Sequence, residues 1–290
     1  MIAPENSPVG VIGLGLMGSV LATRLLAAGY TVHGHDIAPR PIAGVQAGTP
    51  AQIAQHCAPI VLALFDTDQV EDTVENALLP ALPADRRPIV ICTSTCDPDR
   101  IAALAARVAP RIRLLESPIS GTSAQVRNGQ GVALIGDDGS LAGEVAPILD
   151  ALFSTIHLVG RCGDGGRAKL AVNLILGLNR LALAEGLAFT ETLGLDPARF
   201  LQVARHSAAA SQVMDTKGAK MVASDFTPEG KAAQTLKDVH LMLELARRHG
   251  QTLPLAETNR SVLQACIDAG EGGLDNSVVI AEIRRRRTPR

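Results

Sequence analysis

Val9-Gly10-Val11-Ile12-Gly13-Leu14-Gly15-Leu16-Met17-Gly18 decides the fold of this 290-residue chain. Its first four residues read as a short buried strand, and a helical pattern follows the last glycine as far as Ala28. A second strand-like run, residues 31–35, is followed at once by Asp36. Strand, glycine turn, helix, strand and acid, in that order, form the setting in which Gly-x-Gly-x-x-Gly binds a dinucleotide. Gly13 permits a tight turn, Gly15 removes a side chain where backbone meets a pyrophosphate, and Gly18 lets the helix lie close to the sheet. The phosphates then face unpaired N–H groups and the positive end of the helix dipole. Gly13, Leu14, Gly15, Leu16, Met17 and Gly18 are therefore the expected cofactor-binding turn. Asp36 is expected to accept hydrogen bonds from the ribose of NAD and to repel the 2′-phosphate of NADP. Arg40 lies close enough to blunt that preference, so NAD is the expected cofactor and NADP stays open.

Strand-like runs recur downstream at residues 60–64, 89–92, 113–116 and 132–135, and alanine-rich helical segments such as 99–108 separate most of them. Such alternation implies parallel strands with crossover helices. Ligands on these sheets gather at the carboxyl ends of strands, so Asp66, Ser94, Thr95 and Ser120 are expected to face the cofactor crevice. After Gly160 the pattern changes. Residues 169–193 read as one helix closed by Gly194, about 37 Å long, and further helical segments cover 197–205, 233–248, 254–269 and 277–285. The long helix is apolar on most faces, as suits burial between domains or between subunits. The expected fold is an α/β, Rossmann-like, doubly wound N-terminal domain (1–162) and an all-α C-terminal domain (163–290), joined by the long helix.

The chain is 47% apolar with a formal net charge of −2, which argues against a nucleic-acid surface or a polybasic membrane anchor. Its basic cluster, Arg284 to Arg287, reads as a solvated tail. Five scattered cysteines, Cys57, Cys92, Cys96, Cys162 and Cys266, suit buried thiols in a reducing cytoplasm better than a disulfide framework. The N-terminus carries Glu5 and no basic stretch, so no signal peptide is expected. Asn173, Asn179, Arg180 and Glu185 interrupt the longest apolar stretch, and a soluble, cytoplasmic protein is expected.

Lys169 and Asn173 stand four residues apart and so share a helix face, and the glycine run before them leaves room for ligand or backbone to approach. A cation and an amide donor there can hold a substrate oxygen, and the ammonium can give or take its proton. A snorkelling lysine with a capping asparagine fits the same spacing. Ser120-Gly121-Thr122 offers hydroxyls and free N–H groups for a carboxylate, or is an ordinary turn. Lys237-Asp238 reads by itself as a surface charge pair. His33 and His35 share a strand face, but no third ligand has sensible spacing, so no metal is expected.

Together these pieces resemble the β-hydroxyacid dehydrogenases, the group containing 3-hydroxyisobutyrate dehydrogenase and tartronate semialdehyde reductase. The resemblance covers essentially the whole chain. It rests on the Gly13–Gly18 turn, on Ser94-Thr95, and on Ser117-Pro118-Ile119-Ser120-Gly121. It continues through Gly160-x-x-Gly163-x-Gly165-x-x-x-Lys169-x-x-x-Asn173, Lys237-Asp238 and Asp275-x-Ser277. It implies an NAD(P)-dependent oxidoreductase acting on a small 3-hydroxy acid or its semialdehyde, in dimers or tetramers built on the helical domains. Lys169 would be the catalytic lysine, Ser120, Gly121 and Asn173 would bind substrate, and Thr95 and Lys237 would contact the cofactor.

The chain departs from the family pattern at Thr122, where a second glycine is usual, and at Glu116, where aspartate is common. Gly230 and Gln212 stand where phenylalanine and tryptophan often line the pocket. With no tryptophan and 2% aromatic residues, the pocket is expected to be wider and more polar, suited to a longer or more polar hydroxy acid such as a sugar-acid fragment. Imine reductases share the turn but generally lack the lysine. A 6-phosphogluconate dehydrogenase would be longer, and a non-catalytic nucleotide sensor would not need Lys169, Asn173 and Ser120 together.

Overall fold

The computed structural model describes residues 8–287; the stretch carrying Glu5 lies outside the described residues. Its first unit is built as the glycine turn demands. Strand β1 (Val9–Ile12) passes through the turn into helix α1 (Leu16–Ala27) and returns as β2 (Val32–His35). There follow β3 (Val45–Ala47), α2 (Pro50–His56), β4 (Ile60–Leu62) and α3 (Thr67–Asp72), which continues into π-helical turns at Thr73–Leu78. Then come β5 (Ile89–Cys92), α4 (Pro98–Val108), β6 (Arg113–Glu116), β7 (Ile119–Ser120) and α5 (Ser123–Arg127). The unit closes with β8 (Val132–Gly136), α6 (Ser140–Glu144), α7 (Ala146–Leu152) and β9 (Thr155–Gly160).

Strand side chains alternate between two cores, because successive residues of a strand face opposite ways. Val9, Val11, Val61, Ile91 and Leu115 join α1 and α7 in one core. Ile12, Ile60, Leu62, Val90 and Leu114 join α2 and α4 in the other. A sheet apolar on both faces and covered by helices on both is the doubly wound arrangement. Strands lie in the order β3-β2-β1-β4-β5-β6-β8-β7, with β9 against β8, and β3 through β6 pair in parallel.

Past β6 the expectation of parallel strands fails. β8 runs antiparallel to β6 and β7 before β9 pairs with it in parallel. Residues 121–131 between β7 and β8 are fewer than the dozen or more that a parallel crossover needs, so the chain can only turn back. The sequence pattern also passed over β3, β7 and β9. β3 and β9 are largely exposed edge strands, and β7 is two residues long.

The long helix α8 spans Asp164–Thr192, starting five residues ahead of its expected beginning. Up to Lys169 the chain belongs to the first compact unit; from Leu170 onward it forms a second. There α9 (Pro197–Arg205), α10 (Gln212–Ala223), α11 (Ala232–Arg248), α12 (Pro254–Asp268) and α13 (Val279–Arg285) pack around α8. Leu181, Leu187, Leu201, Met221, Val239, Leu263 and Ile280 are among the core residues. α10 escaped the sequence reading because Asp215, Lys217, Gly218 and Lys220 dilute its apolar period, although Lys217 and Gly218 are buried. α8 is long and apolar enough to cross a membrane by length and composition, but Leu181, Leu183, Ala184 and Leu187 serve this unit's core.

Candidate active site

Two glycines hold the shape of the turn, and the one between them leaves it open. Gly13 has φ +89°, and a Cβ there would run into the Ala63 carbonyl oxygen at the end of β4. A Cβ on Gly18 would collide with the Gly13 carbonyl, so the first turn of α1 can only lie on the glycine turn without one. Around Gly15 there is open space, and as N-cap of α1 it brings no side chain to the first free N–H groups. That open, donor-rich helix start fits a pyrophosphate. Leu14 and Met17 turn their side chains toward the core, while Leu16 is exposed. Asp36 follows β2 and accepts from Leu14 N–H at 2.7 Å and from Ala38 N–H at 2.9 Å. Partial burial pushes its pKa up, but those two donors and Arg40, 3.4 Å away, hold it below the usual carboxylate range.

The other strand-end residues divide. Ser94 is buried, and its hydroxyl accepts from Leu64 N–H at 2.8 Å, bracing β4 against β5. Asp66 caps α3 by accepting from Gln69 N–H at 2.9 Å. Thr95 is half-buried just beyond β5, and Ser120 is half-buried at the end of β7.

The glycine run before Lys169 does not hold space for a ligand. The Glu116 carboxylate, 2% exposed, fills it. It accepts from Gly163 N–H at 2.7 Å, Gly165 N–H at 3.1 Å and Gly166 N–H at 2.9 Å. A Cβ on Gly165 or Gly166 would stand 2.9 or 2.8 Å from its oxygens, and one on Gly136 would overlap Oε2. The glycines are thus a cradle, and an acid from the end of β6 caps α8 where no local side chain does. Burial pushes the Glu116 pKa up to about 7, against the pull of the three N–H groups and of Arg167. Arg167 ties the same turn to Asp99 at 2.5 Å and to Asp164 at 2.8 Å.

One turn beyond the cradle, Lys169 is only 6% exposed. A snorkelling lysine would keep its ammonium in water, so that reading is set aside. Asn173 lies well inside α8 and is no cap. Its Nδ2 donates to Asp238 Oδ2 at 2.9 Å, and its Oδ1 is buried without a partner. The expected amide donor is therefore spent on a carboxylate, and what Asn173 offers is an acceptor. Asp238 is 7% exposed and pairs with Lys237 at 2.9 Å, so these two are a part-buried pair rather than a surface one.

The Ser120–Thr122 stretch is partly committed as well. Thr122 is the N-cap of α5 in a reciprocal box, its hydroxyl accepting from Gln125 N–H and its N–H donating to Gln125 Oε1. Its N–H is lost to a carboxylate anchor. Ser120 and Gly121 retain their hydroxyl and N–H, with Gly121 at φ +135°.

Sequence reasoning missed the cradle role of Glu116, although an acid closing a strand behind two leucines was a signal. It also missed Lys217, and it gave Asp275, quoted in the resemblance, no role. Asp275 is 0% exposed, contacts Lys217 Nζ at 2.9 Å, and accepts from Glu229, Gly230 and Ser277 N–H. All five cysteines are free thiols.

Comparison with known proteins matches these parts in order. Residues 8–160 match the NAD binding domain of 6-phosphogluconate dehydrogenase. Residues 163–283 match the model described as NAD-binding of NADP-dependent 3-hydroxyisobutyrate dehydrogenase. The chain is 30% identical to 2-hydroxy-3-oxopropionate reductase of Escherichia coli, covering 94% of this chain and 95% of that one. It is 28% identical to L-threonate dehydrogenase of Cupriavidus necator, covering 94% of each. The crystal structure of 3-hydroxyisobutyrate dehydrogenase from Salmonella typhimurium superposes with a TM-score of 0.87 at 25% identity, covering 95% of this chain and 99% of that one. With a dinucleotide turn whose first and third glycines are required by packing and an NAD-binding match in both halves, the chain belongs to the β-hydroxyacid dehydrogenase family of NAD(P)-dependent oxidoreductases.

Proposed function

We propose that the chain interconverts a small 3-hydroxy acid and its semialdehyde, with Lys169 as general acid/base and NAD as the preferred cofactor. The observation that carries this is Lys169 buried at 6% exposure, one helical turn from an Asn173 oxygen that is buried and unpartnered. When bound, the nicotinamide supplies the hydride acceptor or donor. Lys169 takes the hydroxyl proton during oxidation and returns it to the carbonyl oxygen during reduction. Asn173 Oδ1 accepts from the substrate hydroxyl or from the lysine ammonium, while Asp238 fixes the amide's orientation. The Ser120 hydroxyl and Gly121 N–H hold the substrate carboxylate, with Thr122 shaping the turn. Thr95 and Lys237 contact the cofactor. Asp36, held ionised by its neighbours, selects the unphosphorylated ribose.

Similarity to an L-threonate dehydrogenase and a 2-hydroxy-3-oxopropionate reductase supports an acid more polar than 3-hydroxyisobutyrate. Gly230 in place of a larger residue points the same way. The free thiols suit a cytoplasmic protein. Val172, Ile175 and Phe189 recur along one exposed stripe of α8, with Leu193 just past its end, and would be covered by a second copy in a homodimer or homotetramer.

The test is turnover of L-threonate, glycerate, 3-hydroxyisobutyrate and the matching semialdehydes, read by the absorbance of reduced nicotinamide with NAD(H) and NADP(H) in parallel. Lys169→Ala is expected to lower kcat by at least about 100-fold with cofactor binding retained. Near-normal turnover in that variant would sink the assignment.

A further inference from the structure

Arg180 is the one arginine in the interior of α8, and it is 5% exposed. A buried guanidinium is costly unless an acceptor meets it, yet Nε is enclosed without a partner, and no hydrogen bond or ion pair from Arg180 occurs among the described residues. The acids whose charge reaches it are Asp275 and Asp238. Each already touches a lysine at 2.9 Å, Lys217 and Lys237 respectively. Among the described residues Arg180 thus has acids within electrostatic reach but none in direct contact.

Its position along the helix is informative. Lys169, Asn173, Gly177 and Arg180 follow at intervals of four, four and three, which places them on one face. Helical side chains lean toward the N-terminus, and Arg180 Nη2 lies 3.6 Å from where a Gly177 Cβ would stand. The Asn259 amide nitrogen is 2.9 Å from the same point, and Asn259 is 3% exposed. Two donors therefore converge beside a residue without a side chain, one turn past the unpartnered Asn173 oxygen. Four residues of helix separate Asn173 from Gly177, about 6 Å, which a short carbon chain spans.

We infer that Arg180, with Asn259, forms an anion subsite that takes the second carboxylate of a hydroxy dicarboxylic acid. The inference rests on the dehydrogenase reading for which end of the substrate meets Lys169, and it narrows that reading to acids carrying a negative group at the far end. A guanidinium and an amide donor recognise a planar carboxylate well. A side chain at Gly177 would crowd the Asn259 amide, so the glycine is what lets the two donors come together.

The experiment compares glutarate with its monoamide, glutaramate, by isothermal titration of the full chain. The two probes match in size and differ by one charge. Wild-type protein is expected to bind glutarate at least about tenfold more tightly. In Arg180→Met, which keeps the length and removes the charge, the two affinities should come within about twofold, with an unchanged circular dichroism spectrum. Equal affinities in wild type, no binding of either probe, or a preference surviving in Arg180→Met would each overturn the subsite. Should Arg180→Met fail to fold, the wild-type comparison decides alone. Neither readout needs turnover. A chain inactive on every hydroxy acid that still discriminates the probes refutes only the dehydrogenase reading, and an active chain that does not discriminate refutes only the subsite.

Discussion

Replacing Glu116 with alanine would show how the start of α8 is held. Three N–H groups, of Gly163, Gly165 and Gly166, donate to this carboxylate in an enclosed site. Each orphaned buried donor costs about 1–3 kcal/mol, so the loss is roughly 3–9 kcal/mol before any offset. The offset is the carboxylate itself, whose pKa burial pushes from 4.5 to about 7. A proton is held more tightly in the folded chain than in the unfolded one. The group's stabilising contribution is therefore full below its unfolded value and is lost as pH climbs through its folded value. Above that window the wild type carries an ionisation cost of about 3 kcal/mol, at about 1.4 kcal/mol per decade, and the alanine variant does not. The variant should accordingly be most destabilised near pH 5, and the difference should shrink by about 2.5 kcal/mol at pH 8. Urea unfolding of both proteins by circular dichroism across that range measures it, and amide exchange at the three glycines localises it. A difference that is flat or grows with pH, or a loss under about 1 kcal/mol at pH 5, would refute the cradle's energetics.

In the second unit, Asp275→Asn would leave Lys217 buried without its main counter-charge, and a stability loss of about 3–5 kcal/mol is expected by urea titration at neutral pH. Burial raises the Asp275 pKa, but Lys217 and the surrounding N–H groups together pull it below its usual value. The wild-type advantage is present above the unfolded carboxylate range and disappears as pH falls through the folded value. Asp36→Ser should raise the NADP-to-NAD ratio of kcat/KM at least about tenfold, because the serine keeps an acceptor but removes the charge facing a 2′-phosphate; an unchanged ratio would remove Asp36 from cofactor choice. Phe189→Glu, at a position 64% exposed on α8, should shift the sedimentation coefficient to that of a monomer, and a wild-type protein that already sediments as a monomer would contradict the oligomer.

Fold class was legible because its signals are local. A turn with three glycines, two of them required by packing, fixes one strand–helix–strand unit, and alternating apolar runs propagate it. The antiparallel β8 was not legible in the same way. Its direction follows from the shortness of the connection after β7, and β7 itself is two residues long. Edge strands β3 and β9 bury few side chains and so leave little period to read. Of the site, Lys169 and Asn173 could be found by spacing, but which atom Asn173 presents depends on Asp238, sixty-five positions away. The purpose of the glycines at 163, 165 and 166 was similarly hidden, because the carboxylate they enclose comes from the far end of β6.

Hydrogen-bond satisfaction separates the polar residues of this chain better than their place in a motif does. Ser94, Thr122, Glu116 and Asp275 all belong to, or stand beside, the segments that resemble the family, and all are engaged by backbone N–H groups. Their oxygens shape strand ends and helix starts, and substituting them should first change stability. The Ser117 and Ser277 hydroxyls, in the same segments, are buried without such a partner, and so are Asn173 Oδ1 and Arg180 Nε on α8. Burying a polar atom unpaired is unfavourable in the isolated chain, so the free energy it lacks is available to whatever pairs with it. Asn173 and Arg180 lie on the same face of α8 as Lys169, on the side of it away from the Glu116 cradle. An anion and a hydroxyl held by one short carbon chain would satisfy both at once, whereas a plain monocarboxylic 3-hydroxy acid anchored at Ser120 and Gly121 would leave Arg180 without an acceptor. The preference for a second charge thus follows from the orphaned groups, and only secondarily from the missing aromatics around the pocket.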